Sequence, residues 1–308
     1  MASAPPSILH LQPALGYPSD VKTWPTGTTE LAPGVFAYVQ ATGAFCIANA
    51  GIVAGSEGTT AIDALFTPSM TRALLDEAKR LAPQPITRLL NTHHHADHTL
   101  GNALFPPGID IVAHAKAKEQ MERLPVAVIA EAIKRMAPHF APEMHDLQDR
   151  LPNVTFDGDG IALRVDDRAL RLIHYGVGHT RGDVLVHLPA ERILFAGDIA
   201  FLYVTPLAFE GHVGNWIRIT RRVIDELDAD VIVPGHGPIG TKDDLRKMLG
   251  YLELVHTGAS RAFNAGAPEE EAIRNIDLGE FADWTESERI IPNVARCYRE
   301  FRGEIALS

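Results

Sequence analysis

Short apolar runs separated by glycine-containing turns begin near Leu31. They occupy residues 35–40, 46–55 and 59–65, and their length and β-branched content predict strands. Residues 68–81 carry apolar side chains at a helical period, and a proline opens the segment, so a helix is predicted there.

The middle of the chain adds two more predicted strands and a longer helical stretch. Apolar runs at 86–92 and 109–114 predict the strands, and the first runs directly into a histidine-rich segment. Residues 115–136 are largely helical in pattern, with Pro125 as a break, and the prolines of 137–146 end the stretch.

Strands and helices alternate again in the second half of the chain. The predicted strands are 154–165, 170–176, 183–189, 192–198 and 230–235. A helix is predicted at about 214–227, and the chain from Thr241 onward is mostly helical with a break at Gly266–Pro268. This order predicts an α/β fold in which two sheets pack face to face with helices outside, an αβ/βα sandwich.

Composition limits the classes of function. The 308 residues suit one large domain, or a core domain with additions, and 46% hydrophobic with 22% charged residues is ordinary for a globular protein. The net charge of −11 disfavours nonspecific nucleic-acid binding. No signal peptide, membrane span or disulfide framework is expected, so the sequence predicts a cytoplasmic protein without a nucleic-acid or membrane partner.

Three regions are predicted along the chain. Residues 1–28 are rich in Pro, Ser, Thr and Gly and are interpreted as an N-terminal arm. Residues 29–240 are predicted to form the core domain, with a lid-like insertion at about 115–150. Residues 241–308 form C-terminal helices packed on that core. Because such an arm can wrap around a neighbouring subunit, we also expect a homodimer.

The segment THHHADHT at 92–99 is the strongest chemical signal. It holds four of the 14 histidines and an aspartate directly after an apolar strand. Alternation places the imidazoles of His93 and His95 on one side of an extended loop, and Asp97 and His98 can turn toward a neighbouring point. Imidazole and carboxylate ligands suit zinc, iron or manganese, and no thiolates lie nearby.

Three further candidates lie at or just past the ends of apolar strands. His179 occurs in YGVGHTRGD, Asp198 in ILFAGD and His236 in VIVPGHGP. Each by itself is typical of a hydrogen-bonded turn residue, but strand ends are where loops assemble a site. A structural metal site is normally closed by four ligands, so the larger set favours a catalytic one.

These motifs strongly resemble the metallo-β-lactamase superfamily, in the branch with glyoxalase II, lactonases and related thioesterases. HxHxDH, GHT, LFAGD and PGHG carry the resemblance, which covers roughly residues 30–240. It implies the four-layer αβ/βα fold. It also implies that the first metal is held by His93, His95 and His179, and the second by Asp97, His98 and His236, with Asp198 bridging. The true β-lactamases lack such a bridging aspartate, so antibiotic hydrolysis is less expected.

The resemblance implies a hydrolase with two zinc ions per chain, iron or manganese being alternatives. A metal-bound hydroxide would attack an electrophilic carbon of a small ester, thioester or lactone. Asp97, His98 and Asp198 are the predicted catalytic residues, and Asp97 could also relay a proton. Asp63, at a predicted strand end, is a candidate acceptor for the second nitrogen of a ligating histidine.

Substrate choice is expected to depend on the segments above the metals. The lid-like insertion offers the side chains of Met136, His139, Phe140, Met144 and His145. The predicted substrate pocket consists of Phe140, Tyr203, His212, Asn215 and Trp216. Tyr203 would donate to an oxyanion, and Trp216 would stack on a planar substrate.

Other reactions remain open on the same residues. The layout also looks like hydrolytic dehalogenases of chlorinated aromatics and polyketide cyclase-thioesterases. A mononuclear iron persulfide dioxygenase would use only the first-metal residues and the aspartate, so the intact second set disfavours it. Nucleic-acid cleavage usually adds a clamp domain or exosite that is not found here. Non-catalytic binding proteins of this fold usually lose ligands, whereas this chain keeps seven.

Overall fold

A computed structural model of the protein describes residues 24–307. Seven strands form the first sheet in sequence order: β1 (Gly27–Ala32), β2 (Val35–Val39), β3 (Ala50–Val53), β4 (Thr59–Ile62), β5 (Ile86–Leu90), β6 (Asp110–His114) and β7 (Val154–Phe156). Five form the second, in the order β12-β11-β10-β9-β8: β8 (Gly160–Val165), β9 (Arg168–Ile173), β10 (Leu185–Leu188), β11 (Ile193–Phe201) and β12 (Val231–His236).

The α-helices lie between and after these strands. They are α1 (Pro68–Leu81), α2 (Ala96–Thr99), α3 (Ala115–Arg123), α4 (Val126–Met136), α5 (Val213–Glu226), α6 (Lys242–Asn264), α7 (Glu269–Asn275) and α8 (Ile290–Phe301). Among residues 24–307, none of the helices is long and apolar enough to cross a lipid bilayer.

Strand direction places several strand ends at one edge of the molecule. β4, β5, β6 and β7 pair in parallel, and so do β11 and β12 in the other sheet. Parallel neighbours end at the same edge of a sheet. The segment after β5, the middle of β11 and the end of β12 carry the predicted metal ligands, so the topology brings these segments together.

The two sheets enclose one apolar layer and are covered by helices on their outer faces. Val53 and Leu90 of the first sheet meet Val186, Phe195 and Val233 of the second in the same buried cluster. Leu74 and Ala78 of α1 pack on the outside of the first sheet. Trp216 of α5, Tyr251 of α6 and Val294 of α8 join a cluster with Leu194 and Ile232 on the outside of the second. The predicted αβ/βα sandwich is therefore confirmed.

Proline and glycine signals located the helix boundaries well. The helix predicted at 68–81 matches α1, where the Thr67 side chain accepts from the Met70 amide. The break at Pro125 separates α3 from α4, and the break at Gly266–Pro268 separates α6 from α7. These residues act through local backbone geometry, which is why the sequence alone locates them.

The strand predictions need three corrections. The strand predicted at 46–55 covers only β3, because Cys46 has a positive φ of 63° and the chain loops before Ala50. The strand predicted at 154–165 is two strands in different sheets, separated by a turn at Gly158, where φ is 76°. β1 begins inside the predicted arm and is an edge strand with few apolar residues. The rest of that arm, residues 1–23, lies outside the described residues.

Candidate metal centre

The histidine-rich segment is fixed between the two sheets. It follows β5, and its Thr92 carbonyl accepts from the Val184 amide at 2.7 Å, just before β10. His95 precedes the single turn of α2, in which the Thr99 hydroxyl donates to the His95 carbonyl at 2.9 Å. The backbone of the segment is thus tied at both ends, which orients its side chains toward the strand ends of the second sheet.

Seven side chains converge at this point, and they form two groups. In the first, His93, His95, His179 and Asp198 place one ligand atom each within 4.8 Å of one another. His179 Nε2 lies 2.9 Å from His95 Nδ1 and 3.2 Å from Asp198 Oδ2. Three imidazoles and a carboxylate thus surround one point.

The second group adjoins the first through the Asp198 carboxylate. Asp97, His98 and His236 also offer ligand atoms within 4.8 Å of one another. His236 Nε2 lies 3.2 Å from Asp97 Oδ2 and 3.4 Å from Asp198 Oδ2, and His98 Nε2 lies 3.1 Å from Asp198 Oδ1. Asp198 is therefore shared between both groups. The structure brings together all seven residues that the sequence predicted as ligands.

Unsatisfied polar atoms show that this cluster fits a cation. Within residues 24–307, the buried atoms His93 Nε2, His98 Nε2 and Asp198 Oδ1 make no hydrogen bond, although His98 Nε2 and Asp198 Oδ1 lie 3.1 Å apart. A buried polar atom without a partner is costly, and coordination to a divalent metal would satisfy all three. Imidazole and carboxylate donors of this kind suit zinc, iron or manganese.

The Asp198 carboxylate packs directly against the backbone of Gly235. A Cβ added at Gly235, in the PGHG motif of β12, would lie 1.9 Å from Asp198 Oδ1. Any side chain at this position would displace the carboxylate that lies between the two groups. The glycine before His236 is thus required by close packing of β12 against β11.

Hydrogen bonds to Nδ1 orient the rings of His98 and His236, the two histidines of the second group. Asp63 Oδ2 lies 2.8 Å from His98 Nδ1, and Asp63 also accepts from the Thr92 amide and hydroxyl at 2.8 Å each. His236 Nδ1 lies 3.0 Å from the carbonyl oxygen of Gly43. These contacts leave Nε2 of each ring facing the cluster. Asp63 therefore contacts a predicted ligand, as the sequence suggested.

The electrostatics divide the histidines into two classes. Burial lowers the pKa of His93 and lowers that of His179 to about 3, so both rings are neutral and ready to ligate. Burial also acts on His236, but the charges and hydrogen bonds of Asp198 and Asp97 outweigh it and raise its pKa to about 9. The carboxylates thus attract positive charge to this point, and a bound cation would replace a proton there.

Glu210 contacts two histidines of the cluster region, and the sequence did not predict this residue as part of the site. Its Oε2 lies 3.3 Å from His94 Nε2 and 3.4 Å from His95 Nε2, so the outward nitrogen of His95 has a carboxylate partner. Burial raises the pKa of Glu210, but the hydrogen bonds from both histidines outweigh it and lower the pKa overall. No motif surrounds this residue. The only signal was one acidic residue in an otherwise apolar loop, FLYVTPLAFEG.

A cavity of about 280 Å³ opens beside the cluster. Its wall includes Asp97, His179, Asp198 and His236 at the inner end. Most of the remaining wall is apolar and comes from the 45–46 loop, α3, α4 and the 201–209 segment. Concave, largely apolar sites with a few convergent polar groups are typical of small-molecule binding.

The predicted pocket residues Tyr203 and Trp216 lie elsewhere. The Tyr203 hydroxyl donates to Asp244 Oδ1 at 2.5 Å, at the start of α6. Trp216 is fully buried, donates from Nε1 to the Ile199 carbonyl, and places its ring 5.2 Å from that of His179. Trp216 therefore packs against the predicted metal ligand His179 and does not line the cavity. The predictions for both side chains are corrected because β11 and α5 turn them into the helical layer.

The other three predicted pocket residues have structural contacts. The Phe140 ring is 4.8 Å from that of Phe66, beneath α4. The His212 ring caps the first turn of α5, and Asn215 Nδ2 donates to the Val177 carbonyl at 2.6 Å. None of the five predicted residues lines the cavity described above. Among the side chains predicted for the lid, Met136 lines this cavity, whereas Met144 is buried beneath α4.

Comparison with known proteins places these motifs in a family. The metallo-beta-lactamase superfamily profile matches residues 43–236, which contain all seven clustered side chains. The chain is 29% identical over 235 residues to the alpha subunit of a 2,4-dinitroanisole O-demethylase from Nocardioides sp. (strain JS1661). That match covers 75% of this chain but only 62% of the relative.

Two further similarities extend the comparison. An acyl-coenzyme A thioesterase from Homo sapiens is 26% identical over 214 residues, covering 61% of this chain and 72% of the thioesterase. The solved structure of a sec-alkylsulfatase from Pseudomonas sp. superposes with a TM-score of 0.72 at 20% identity. That superposition covers 91% of this chain and 51% of the sulfatase, so the shared fold reaches the C-terminal helices.

Proposed function

The chain belongs to the metallo-β-lactamase superfamily, and from that premise we propose that it is a hydrolase that binds two divalent metal ions, zinc first among them. The proposal rests on one observation above all. Two groups of ligand atoms adjoin the buried carboxylate of Asp198, whose Oδ1 makes no hydrogen bond among the described residues. A mononuclear site would not need the second group.

In this proposal each group holds one ion. The first ion would contact the side chains of His93, His95, His179 and Asp198, and the second those of Asp97, His98, His236 and the adjoining Asp198. When bound, such a pair of cations supplies an acidified water and positive charge beside the bond to be cleaved. Asp97 is exposed enough to reach the cavity, and its carboxylate would accept and pass on a proton as the leaving group departs.

The remaining residues position and enclose the reaction. Asp63 holds the His98 ring, and Glu210 contacts the outward nitrogen of His95. The apolar wall formed by Phe201, Leu207 and Phe209 excludes water from the inner end of the cavity. These side chains would keep the substrate and the cluster in one relative orientation during cleavage.

We propose an ester or thioester as the substrate class. The human relative named as an acyl-coenzyme A thioesterase supports this class, and so does the apolar cavity. Aryl alkyl ether cleavage is a second candidate, since another relative is named as a dinitroanisole O-demethylase subunit. A lactone or a chlorinated aromatic would present an electrophilic carbon to the same cluster.

The test combines metal counting with a matched pair of variants. We expect close to two zinc ions per chain by elemental analysis and hydrolysis of ester or thioester substrates. His95→Ala should bind less metal and lose turnover, whereas His145→Ala, at an exposed position outside the cavity, should retain both. Full activity in metal-loaded His95→Ala would contradict the site. One iron per chain with oxygen consumption would replace the proposal with persulfide oxidation.

A further inference from the structure

The inner face of α4 lines the cavity over the whole length of the helix. Val126, Ile129, Ile133 and Met136 follow one another at helical spacing, with Val128 and Ala132 beside them. Val126 and Met136 are the first and last residues of α4. At 1.5 Å per residue they lie about 15 Å apart along the helix axis. The apolar wall therefore extends along the whole of α4.

Four exposed apolar side chains contribute to the wall of this cavity. The exposed fractions are 47% for Leu124, 54% for Val128, 54% for Met136 and 52% for Phe209. All four line the cavity. Only three other large hydrophobic residues are exposed among residues 24–307: Val154, Ile291 and Leu307. A cluster of this kind marks a binding surface, whereas single exposed hydrophobics are ordinary.

The charged residues of the wall already have partners. Arg150 donates to the carbonyl oxygens of Phe105 and Pro106 at 2.5 and 2.8 Å. Arg289 donates to the Thr205 carbonyl at 2.8 Å and forms an ion pair with Glu286. Asp149 accepts from the Val126 amide at 2.8 Å and caps α4. The wall therefore favours an uncharged apolar group between the metal-ligand cluster and the outer rim.

We propose that this cleft binds a long unbranched alkyl or acyl chain of the substrate, which lies along α4. The hydrolysable group then lies at Asp198 and His236, and the chain covers the exposed wall side chains Val128 and Met136. The length of the wall favours an extended chain over a compact ring. This inference names the substrate class of the proposed hydrolase and rests on that function.

The first measurement is binding, which does not depend on turnover. Linear carboxylates from about four to about twelve carbons are titrated into the zinc-loaded protein by calorimetry. Each buried methylene contributes about 0.8 kcal/mol, so affinity should rise about fourfold per carbon until the chain passes the rim. The same series as acyl thioesters should show kcat/KM rising in parallel.

Two alanines of α4 provide a matched pair of variants. Ala132 is half-buried and lines the cavity, whereas Ala127 is exposed on the opposite side of the helix. Ala132→Phe should shorten the range of chain lengths over which affinity rises, and Ala127→Phe should leave that range unchanged. Met136→Glu gives a second check, because Met136 is exposed and lines the cavity, so a charge there should weaken binding of the chains that are long enough to reach it.

The outcomes separate this inference from the proposed function. Affinity that does not depend on chain length would overturn the inference, even if short esters are hydrolysed. A chain-length dependence that survives both Ala132→Phe and Met136→Glu would place the chain elsewhere and also overturn it. Protein that binds phosphatidylcholine vesicles but no single chain would assign the rim to a lipid surface instead. Chain-dependent binding without hydrolysis of any ester or thioester would count against the hydrolase alone.

Discussion

Gly235 decides at the scale of a single residue whether Asp198 can serve both ligand groups. A methyl group there would approach Asp198 Oδ1 to 1.9 Å, so Gly235→Ala should push the carboxylate out of the cluster. We expect metal content to fall below one ion per chain with secondary structure retained. Elemental analysis and circular dichroism check this.

Gly250→Ala is the matched control for that substitution. Gly250 lies within α6, and a Cβ there would meet only Phe281 Cζ, at 3.6 Å. Alanine in a helix interior is more favourable than glycine by about 0.5–1 kcal/mol, so this variant should keep its metal and gain slight stability. Undiminished metal binding by Gly235→Ala would show that β12 can shift away from Asp198.

Residues that support others are hard to predict from sequence. The HxHxDH pattern identifies His93, His95, Asp97 and His98 because their chemistry and spacing are local. Glu210 lies 115 positions from His95, and no spacing rule connects them. Tyr203 and Trp216 are predicted to face the pocket from their residue types and their place after Asp198, but Tyr203 instead bonds to Asp244 and Trp216 to the Ile199 carbonyl.

At the scale of elements, two stacked histidines connect the ends of β6 and β9. The rings of His114 and His174 are 4.0 Å apart, and His174 Nδ1 lies 2.8 Å from the Asp183 carbonyl oxygen. Burial, and then the neighbouring His174, lowers the pKa of His114 to about 4. Burial also lowers the pKa of His174. The pair is therefore neutral in the folded protein near pH 7.

This pair should make the protein less stable in mild acid. An unfolded histidine has a pKa of about 6.5, so below that pH the unfolded chain binds protons that the folded chain does not. The free energy of unfolding should fall from about pH 6.5 toward pH 4, by up to about 1.4 kcal/mol per pH unit for each histidine. Above that window their contribution is constant.

His114→Asn tests the assignment. The His114 ring caps α3 by accepting from the Lys116 amide, and asparagine can accept in the same way without titrating in this range. Denaturant unfolding at several pH values should show a shallower acid loss for His114→Asn than for the unchanged protein. His145→Asn, at an exposed position, should show none of this change. Identical acid profiles for all three proteins would refute the assignment.

At the scale of the whole molecule, metal binding should couple to global stability. The proposed metal ligands come from the segment after β5, from the loop before β10, and from β11 and β12, so bound cations would link both sheets. A ligand at a thousand times its Kd stabilises the folded state by about 4 kcal/mol. Chelation should therefore lower Tm by several degrees, and zinc should restore it in a concentration-dependent way.

The control for this prediction is Asp198→Ala, which removes the carboxylate shared by both groups. Its Tm should respond little to chelator or zinc. Differential scanning fluorimetry of the two proteins over a zinc titration gives the comparison. A Tm of the unchanged protein that is insensitive to both reagents would mean that no stably bound metal links the sheets.

The sequence by itself determined the features that depend on local chemistry. Prolines and glycines located the boundaries of α1, α3 and α4, and short apolar runs between turn residues indicated most strands. The histidine and aspartate motifs identified the seven residues of the cluster and the superfamily, since each motif lies within a few neighbouring positions.

Only the tertiary structure decided which side chains meet across the fold. The turn at Gly158 separates β7 from β8 into different sheets, although the sequence there resembles one strand. The contacts of Glu210 with His94 and His95, and the cavity wall along α4, form between segments that are distant in sequence. A side chain's partners depend on where the rest of the chain packs, and neighbouring residues do not encode that.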